Sequence, residues 1–146
     1  MKDVIHVKGM PTSSGSKVME GFMPTDDATA VRLLREAGAI IMGKAHTHEF
    51  ALGVTTPQSR NPWDHSRDPG GSSGGSAISV STGMSFLSVG TDTRASIRVP
   101  ASLCGTLGYK PTYGLVSTDG IVTLSWSMDH TGLMGRTSED VASRMN

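Results

Sequence analysis

Residues 69–77 read PGGSSGGSA, with four glycines and three serines in nine positions. Three devices have that composition: a flexible linker, a phosphate cradle, or a scaffold that holds serine hydroxyls for chemistry. A Walker A cradle needs a lysine after its last glycine, because an amine must reach the phosphates, and none follows Gly74 or Gly75. The dinucleotide fingerprint fails as well, since no strand pattern immediately precedes the loop and the G-x-G-x-x-G spacing is absent. A linker would join two self-sufficient domains, and the flanking sequence is too short for that. A scaffold for a site remains.

Working outward, residues 77–82 predict a helix, 86–90 a buried strand, 96–104 a short helix and 107–109 another strand. A last helix is expected to start near Ser138, with Glu139 and Asp140 in its first turn. On the other side, Lys44 to Asp68 is polar, without period, and broken by Pro57 and Pro62, which predicts a surface path. Before it, AIIM at 39–42 reads as a buried strand. A helix is expected earlier, capped by Thr25, with Asp26 and Asp27 at its positive end. Its apolar stripe would be Ala30, Leu33, Leu34 and Ala37, and Gly38 would end it. The first 24 residues read as strand and loop pieces. Helices alternating with short apolar strands indicate the α/β class.

Bulk properties narrow the function. The 146 residues suit one domain, and 13 basic against 13 acidic residues leave no formal net charge, so nothing calls for nucleic acid or an anionic membrane surface. One cysteine, Cys104, excludes an internal disulfide and fits a reducing compartment, the cytoplasm. No window forms a signal-peptide core or a membrane span. Eighteen glycines with only 5% aromatics suit a site built from loops.

The run from Pro69 to Ala77, followed by GTDTRASIRVPASLCGTLGYKPTYGLVS from Gly90 to Ser117, resembles the amidase signature family of serine amidohydrolases. KDVIHVKGMPTSSGS, Lys2 to Ser16, is similar to that family's lysine segment. GKAHTHEFALG, SRNPWD and the closing SMDHTGLMGRTSED follow in the expected order, so the resemblance covers essentially the whole chain. It implies a mixed β-sheet core flanked by helices, with residues 1–146 forming one partial domain. It implies a triad of Ser96 as nucleophile, Ser72 as bridging serine after a cis peptide, and Lys2 as base, with 24 residues from Ser72 to Ser96 as in the family pattern. Backbone N–H groups of Thr93, Arg94, Ala95 and Ser96 would face the oxyanion, with Gly71, Ser73, Gly74, Asp92 and Arg98 in support. The substrate implied is a small-molecule amide, with no metal and no cofactor.

Those residue types fit the chemistry. A serine hydroxyl attacks an amide only when its proton is removed, and a lysine removes it only when uncharged. Free lysine titrates near ~10.4, so burial away from carboxylates must disfavour its charged form by roughly 4 kcal/mol. Taken alone, each residue has a plainer reading: Lys2 as a solvated lysine, Ser72 and Ser73 as turn residues, Ser96 as a helix cap, Cys104 as core. Asp92 and Arg98 read as a structural ion pair. His46, His48 and Glu49 form H-x-H-E, which lacks the second histidine of the zinc pattern H-E-x-x-H, so surface or supporting roles are expected. Asp129 and His130 are given no direct chemistry.

Two departures from the family stand out. Arg94 and Ala95 occupy positions where it commonly has two glycines, which predicts crowding of the oxyanion pocket or an altered φ. The chain is also far shorter than the several hundred residues usual in the family, so it reads as a fragment with uncovered strand edges and apolar faces. Two functions follow: the catalytic core of an amidase, or a noncatalytic piece that folds with a partner. The subunit that supplies ammonia in amidation of misacylated tRNA is a relative within the family.

Overall fold

A computed structural model describes residues 1–143. The last three residues of the expected domain, 144–146, lie outside the described residues. The helices are α1 (Thr29–Glu36), α2 (Gly74–Ser81), α3 (Arg98–Cys104) and α4 (Ser138–Ala142), and the strands are β1 (Leu87–Asp92), β2 (Leu107–Tyr109) and β3 (His130–Gly135). The strands form one sheet in the order β1-β3-β2, with both ladders antiparallel. β1, α3 and β2 make a crossover, and β3, arriving last in the chain, inserts between the two strands it joins. The N-terminal segment makes the assembly mixed: Lys2 pairs in parallel with Ala45, and its N–H donates to the Val89 carbonyl at 2.9 Å.

Alternation along the strands divides the core. Val89 and Leu133 are register partners on one face, packed with Val4, Ile5, Val7, Val31 and Val141. Met134, one residue on, points the other way and packs with Ala77, Val80, Ile97, Ala101 and Cys104 from α2 and α3. The Cys104 thiol is buried there, which pushes its pKa up to about 11. No helix among the described residues is long and apolar enough to cross a membrane.

Several local expectations are corrected. The first helix starts at Thr29, with Ala28 at its N-cap and no side-chain cap; Thr25 instead donates to the neighbouring Asp26 carboxylate. Asp27 accepts the Lys8 N–H and pairs with Arg35 of α1, so it ties the helix to the N-terminal segment. The buried side of α1 is Ala30 and Val31, while Leu33 is 52% exposed. The AIIM run forms no strand: Ile40 and Met42 are 84% and 77% exposed, and pairing begins at Ala45, whose N–H and carbonyl bond to Met1 and Asp3. Phe86 is exposed too, and β1 runs on to Asp92. β3 was not expected at all. The last helix does start at Ser138, closed by a capping box between Thr137 and Asp140.

Glycine matters where strands and helices touch. A Cβ on Gly132, in the central strand, would lie 2.2 Å from the Tyr109 carbonyl oxygen, whereas one on Gly43 meets nothing within 4 Å. Gly132→Ala is therefore expected to destabilise the protein by about 3 kcal/mol through overpacking, and Gly43→Ala by under ~1 kcal/mol. Chemical denaturation of the two variants beside the parent checks the contrast; equal midpoints would show that the central strand yields freely.

Candidate active site

Lys2 carries a four-carbon cation-bearing side chain, yet it has no exposed surface. The N-terminal segment inserts it beside β1, and its amine finds two hydroxyls: Nζ donates to Ser72 Oγ at 2.7 Å and to Thr91 Oγ1 at 2.7 Å. Burial lowers the Lys2 pKa to about 7, although Asp129 and Asp92 pull it upward. The expected burial away from carboxylates is thus corrected, since desolvation wins against two nearby carboxylates.

Ser72 sits at the base of the glycine loop, and the Gly71–Ser72 peptide is cis. The loop presses closely on residues 55 and 56: a Cβ on Gly71 would lie 2.0 Å from the Thr55 carbonyl oxygen, and one on Gly74 2.4 Å from the Thr56 hydroxyl. The Gly74 N–H donates to that same hydroxyl at 3.0 Å. His46 and His48 act through their main chains: the Gly75 N–H donates to His46 O and the His48 N–H to Ser72 O, each at 3.2 Å. Glu49 accepts from Ser16 Oγ at 2.6 Å.

Ser96 is 8% exposed and lies in the turn before α3. Ser73 couples it to the loop, its N–H donating to Ser96 O at 3.2 Å and its Oγ to Thr91 O at 3.1 Å. The structure therefore joins Lys2 and Ser72 directly, and brings Ser96 alongside through main-chain bonds. No hydrogen bond links the Ser72 and Ser96 hydroxyls among the described residues.

The turn carrying Ser96 is fixed from beneath. Asp92, fully buried, accepts from Arg98 Nε at 3.1 Å and Nη2 at 3.2 Å and from the Ile97 N–H at 3.1 Å, and pairs with Lys110 Nζ at 3.2 Å. Burial alone would raise the Asp92 carboxyl, but these donors outweigh it and hold it below the ordinary aspartate range. Arg98 also donates to the Arg94 carbonyl. Neither Arg94 nor Ala95 has a positive φ, so the two side chains fit without left-handed backbone. The N–H groups of Thr93, Arg94, Ala95 and Ser96 have no protein acceptor among the described residues.

Of this network, Thr91 was missed in the sequence, and Asp129 was given no direct chemistry there. Thr91 is the second partner of Lys2. Asp129 accepts from Thr93 Oγ1 at 2.5 Å and from the N–H groups of Leu124 and Ser125, holding the Ser96 turn to the segment before β3. The signal for Thr91 was its place two residues after Val89 in a strand, on the face where Lys2 docks. Two surface grooves, of about 230 and 360 Å³, open beside Asp3, Ser13 and His46, and neither is lined by Ser72 or Ser96.

A family model described as Amidase matches residues 1–146. A glutamyl-tRNA(Gln) amidotransferase subunit from Maridesulfovibrio salexigens is 53% identical over 100% of this chain and 31% of its own length; the Nitratidesulfovibrio vulgaris protein of that name is 55% identical over 97% and 30%. The crystal structure of the corresponding Thermotoga maritima protein matches with TM-score 0.96 at 48% identity, covering 99% of this chain and 33% of that one. Native peptide amidase from Stenotrophomonas maltophilia matches with TM-score 0.93 at 42% identity, over 99% and 31%. The chain thus spans about a third of the length of these relatives.

The buried amine has a thermodynamic signature. Its folded-state pKa lies below the ordinary 10.5, so between about pH 7 and 10.5 the unfolded chain holds a proton that the folded chain lacks. Stability must then rise with pH across that window. From pH 7 to pH 9 the gain is about 2 kcal/mol. Burial also lowers the Met1 amine to about 6, which adds a rise common to both proteins. Chemical denaturation at the two pH values is therefore expected to show a rise larger by about 2 kcal/mol in the parent than in Lys2→Met, and parallel behaviour of the two proteins would mean that Lys2 stays charged when folded.

Proposed function

The chain belongs to the Amidase family, and on that footing we propose that it forms the catalytic core of an amidohydrolase acting through an acyl-serine intermediate. The observation that carries this reading is an unexposed amine, with pKa about 7, hydrogen-bonded to Ser72 at 2.7 Å. When Lys2 is uncharged, one of its contacts reverses: Nζ still donates to Thr91, while its lone pair accepts the Ser72 proton. Ser72 Oγ is then able to receive the proton of Ser96.

Ser96 Oγ attacks the amide carbon as its proton passes through Ser72 to Lys2. Negative charge gathers on the carbonyl oxygen, and the unpaired N–H groups of Thr93, Arg94, Ala95 and Ser96 supply donors, each worth ~3 kcal/mol in such a role. The C–N bond then breaks, the relay runs backward, and the proton leaves with the amine. Water releases the acyl group by the same route. Gly71, Gly74, Ser73, Asp92 and Arg98 hold the two loops in place.

A second reading, as the amide-cleaving part of a tRNA-dependent amidotransferase, is favoured by the names of the relatives at 53% and 55% identity. That reading brings tRNA and partner subunits where charge balance alone suggested no nucleic acid. Ser96-dependent ammonia release from glutamine that increases when the other subunits join supports it; release insensitive to them supports the free-standing amidase.

The common step is tested with a fluorophosphonate probe. Labelling is expected at Ser96, located by mass spectrometry, and is expected to fall at least ~100-fold in Lys2→Ala and Ser72→Ala. Its rate should climb as pH passes through about 7, because only the uncharged Lys2 is a base. Asp129→Asn removes a charge that pulls the Lys2 pKa upward, so the midpoint should move to lower pH. Folded protein that takes no label, or a Lys2→Ala variant that labels at the parent's rate, would overturn the proposal.

A further inference from the structure

We propose that Thr91 is a positioning residue, the fixed acceptor that turns the lone pair of uncharged Lys2 toward Ser72. The inference rests on the relay reading of Lys2, Ser72 and Ser96, and deepens it by saying what sets the direction of its last hydrogen bond. Nζ stands 2.7 Å from Ser72 Oγ and 2.7 Å from Thr91 Oγ1, and these hydroxyls are its two partners among the described residues. No carboxylate pairs with it there. An uncharged amine has two N–H bonds and one lone pair, while each hydroxyl both donates and accepts. Equal distances therefore allow three arrangements. Nζ donates to both hydroxyls, or it accepts from Thr91 and donates to Ser72, or it accepts from Ser72 and donates to Thr91. Only the third lets Ser72 pass a proton to the base.

Thr91 is built to select that arrangement. It is 5% exposed, faces Thr131 in the β1–β3 ladder, and has its carbonyl held by Ser73 Oγ at 3.1 Å. Its β-branched side chain has few rotamers, so the hydroxyl stays where the strand puts it. After the proton arrives, the ammonium has N–H bonds for both hydroxyls, and Thr91 must accept one of them. In the third arrangement Thr91 accepts before and after transfer, so nothing turns at Nζ and only the proton moves. The other two arrangements require the amine to rotate first. Hydroxyls that donate in one direction also polarise one another, and a chain from Ser96 through Ser72 to Nζ ends naturally on Thr91. Without that acceptor the buried amine has one hydroxyl left, and an N–H given to Ser72 points the relay the wrong way.

Fluorophosphonate labelling of Ser96, followed across pH in the parent, Thr91→Val and Thr91→Ser, tests the assignment. Valine keeps the branched shape and removes the hydroxyl, so the labelling rate at high pH is expected to fall at least tenfold. Serine restores the acceptor and is expected to recover most of that loss. A lost acceptor costs the ammonium more than the amine, so the pH midpoint in Thr91→Val should also move down, by about one half to one unit. Asp92 and Asp129, the carboxylates that act on Lys2, are unchanged in both variants. A merely structural disturbance would slow labelling without that shift and would not be reversed by serine. Thr91→Ala carries the same expectation should Thr91→Val fail to fold, and loss of the fold in both makes Thr91 a structural residue and overturns the proposal. Labelling of Thr91→Val at the parent's rate overturns it as well. A faster rate does so too, since it would mean that Thr91 competes with Ser72 for the lone pair. Each of these outcomes leaves the relay standing, whereas a folded parent that takes no label sinks the relay itself.

Discussion

The site is organised around one desolvated amine. Lys2 has no exposed surface, and its Nζ reaches Ser72 and Thr91 at 2.7 Å each. A charged ammonium in that position would be opposed by desolvation and helped by Asp92 and Asp129. The balance falls near neutrality because the carboxylates are themselves committed to other donors, and their attraction is felt at a distance rather than as an ion pair. Had either carboxylate paired directly with Lys2, the amine would stay protonated.

Burial of that amine requires three chain segments to meet, and the glycine loop is what allows the approach. Gly71 and Gly74 lie where any side chain would strike Thr55 or Thr56, and Gly75 where one would strike His46. The loop then couples outward, the Ser72 hydroxyl to Lys2, the Ser73 hydroxyl to the Thr91 carbonyl and the Ser73 N–H to the Ser96 carbonyl. The residues of the H-x-H-E stretch contribute carbonyls and N–H groups to this meeting point, so the stretch that looked like a ligand set serves as a brace.

Much of this was legible in the amino-acid order, and the rest was hidden for identifiable reasons. The short strand at 107–109 and the last helix carried strong local signals, and so did the end of α1 at Gly38, which has φ +85°. Lys2, Ser72 and Ser96 came from long motifs, since singly they read as surface, turn and cap. Failures fell where an apolar run met no partner. Ile40, Met42 and Phe86 have strand-like sequence but exposed side chains, as expected of a chain that covers about a third of its relatives. β3 went unread because HTGLMG is short and glycine-interrupted, and its burial comes from lying between two strands. Thr91 was missed, and Asp129 left without a role, because their partners are 89 and 36 residues away, and no local pattern announces a hydroxyl or carboxylate used at that range.

Asp92 and Asp129 do double duty, and that explains why the Arg94–Ala95 departure leaves the turn intact. Each anchors backbone: Asp92 fixes the start of α3 through Ile97 and Arg98, and Asp129 fixes Thr93 against residues 124 and 125. The turn from Thr93 to Ser96 is therefore held at both ends by side chains outside it. Glycines there are dispensable to the backbone because φ stays negative at both substituted positions. At its surface the turn presents the exposed Arg94, a cation two residues before Ser96.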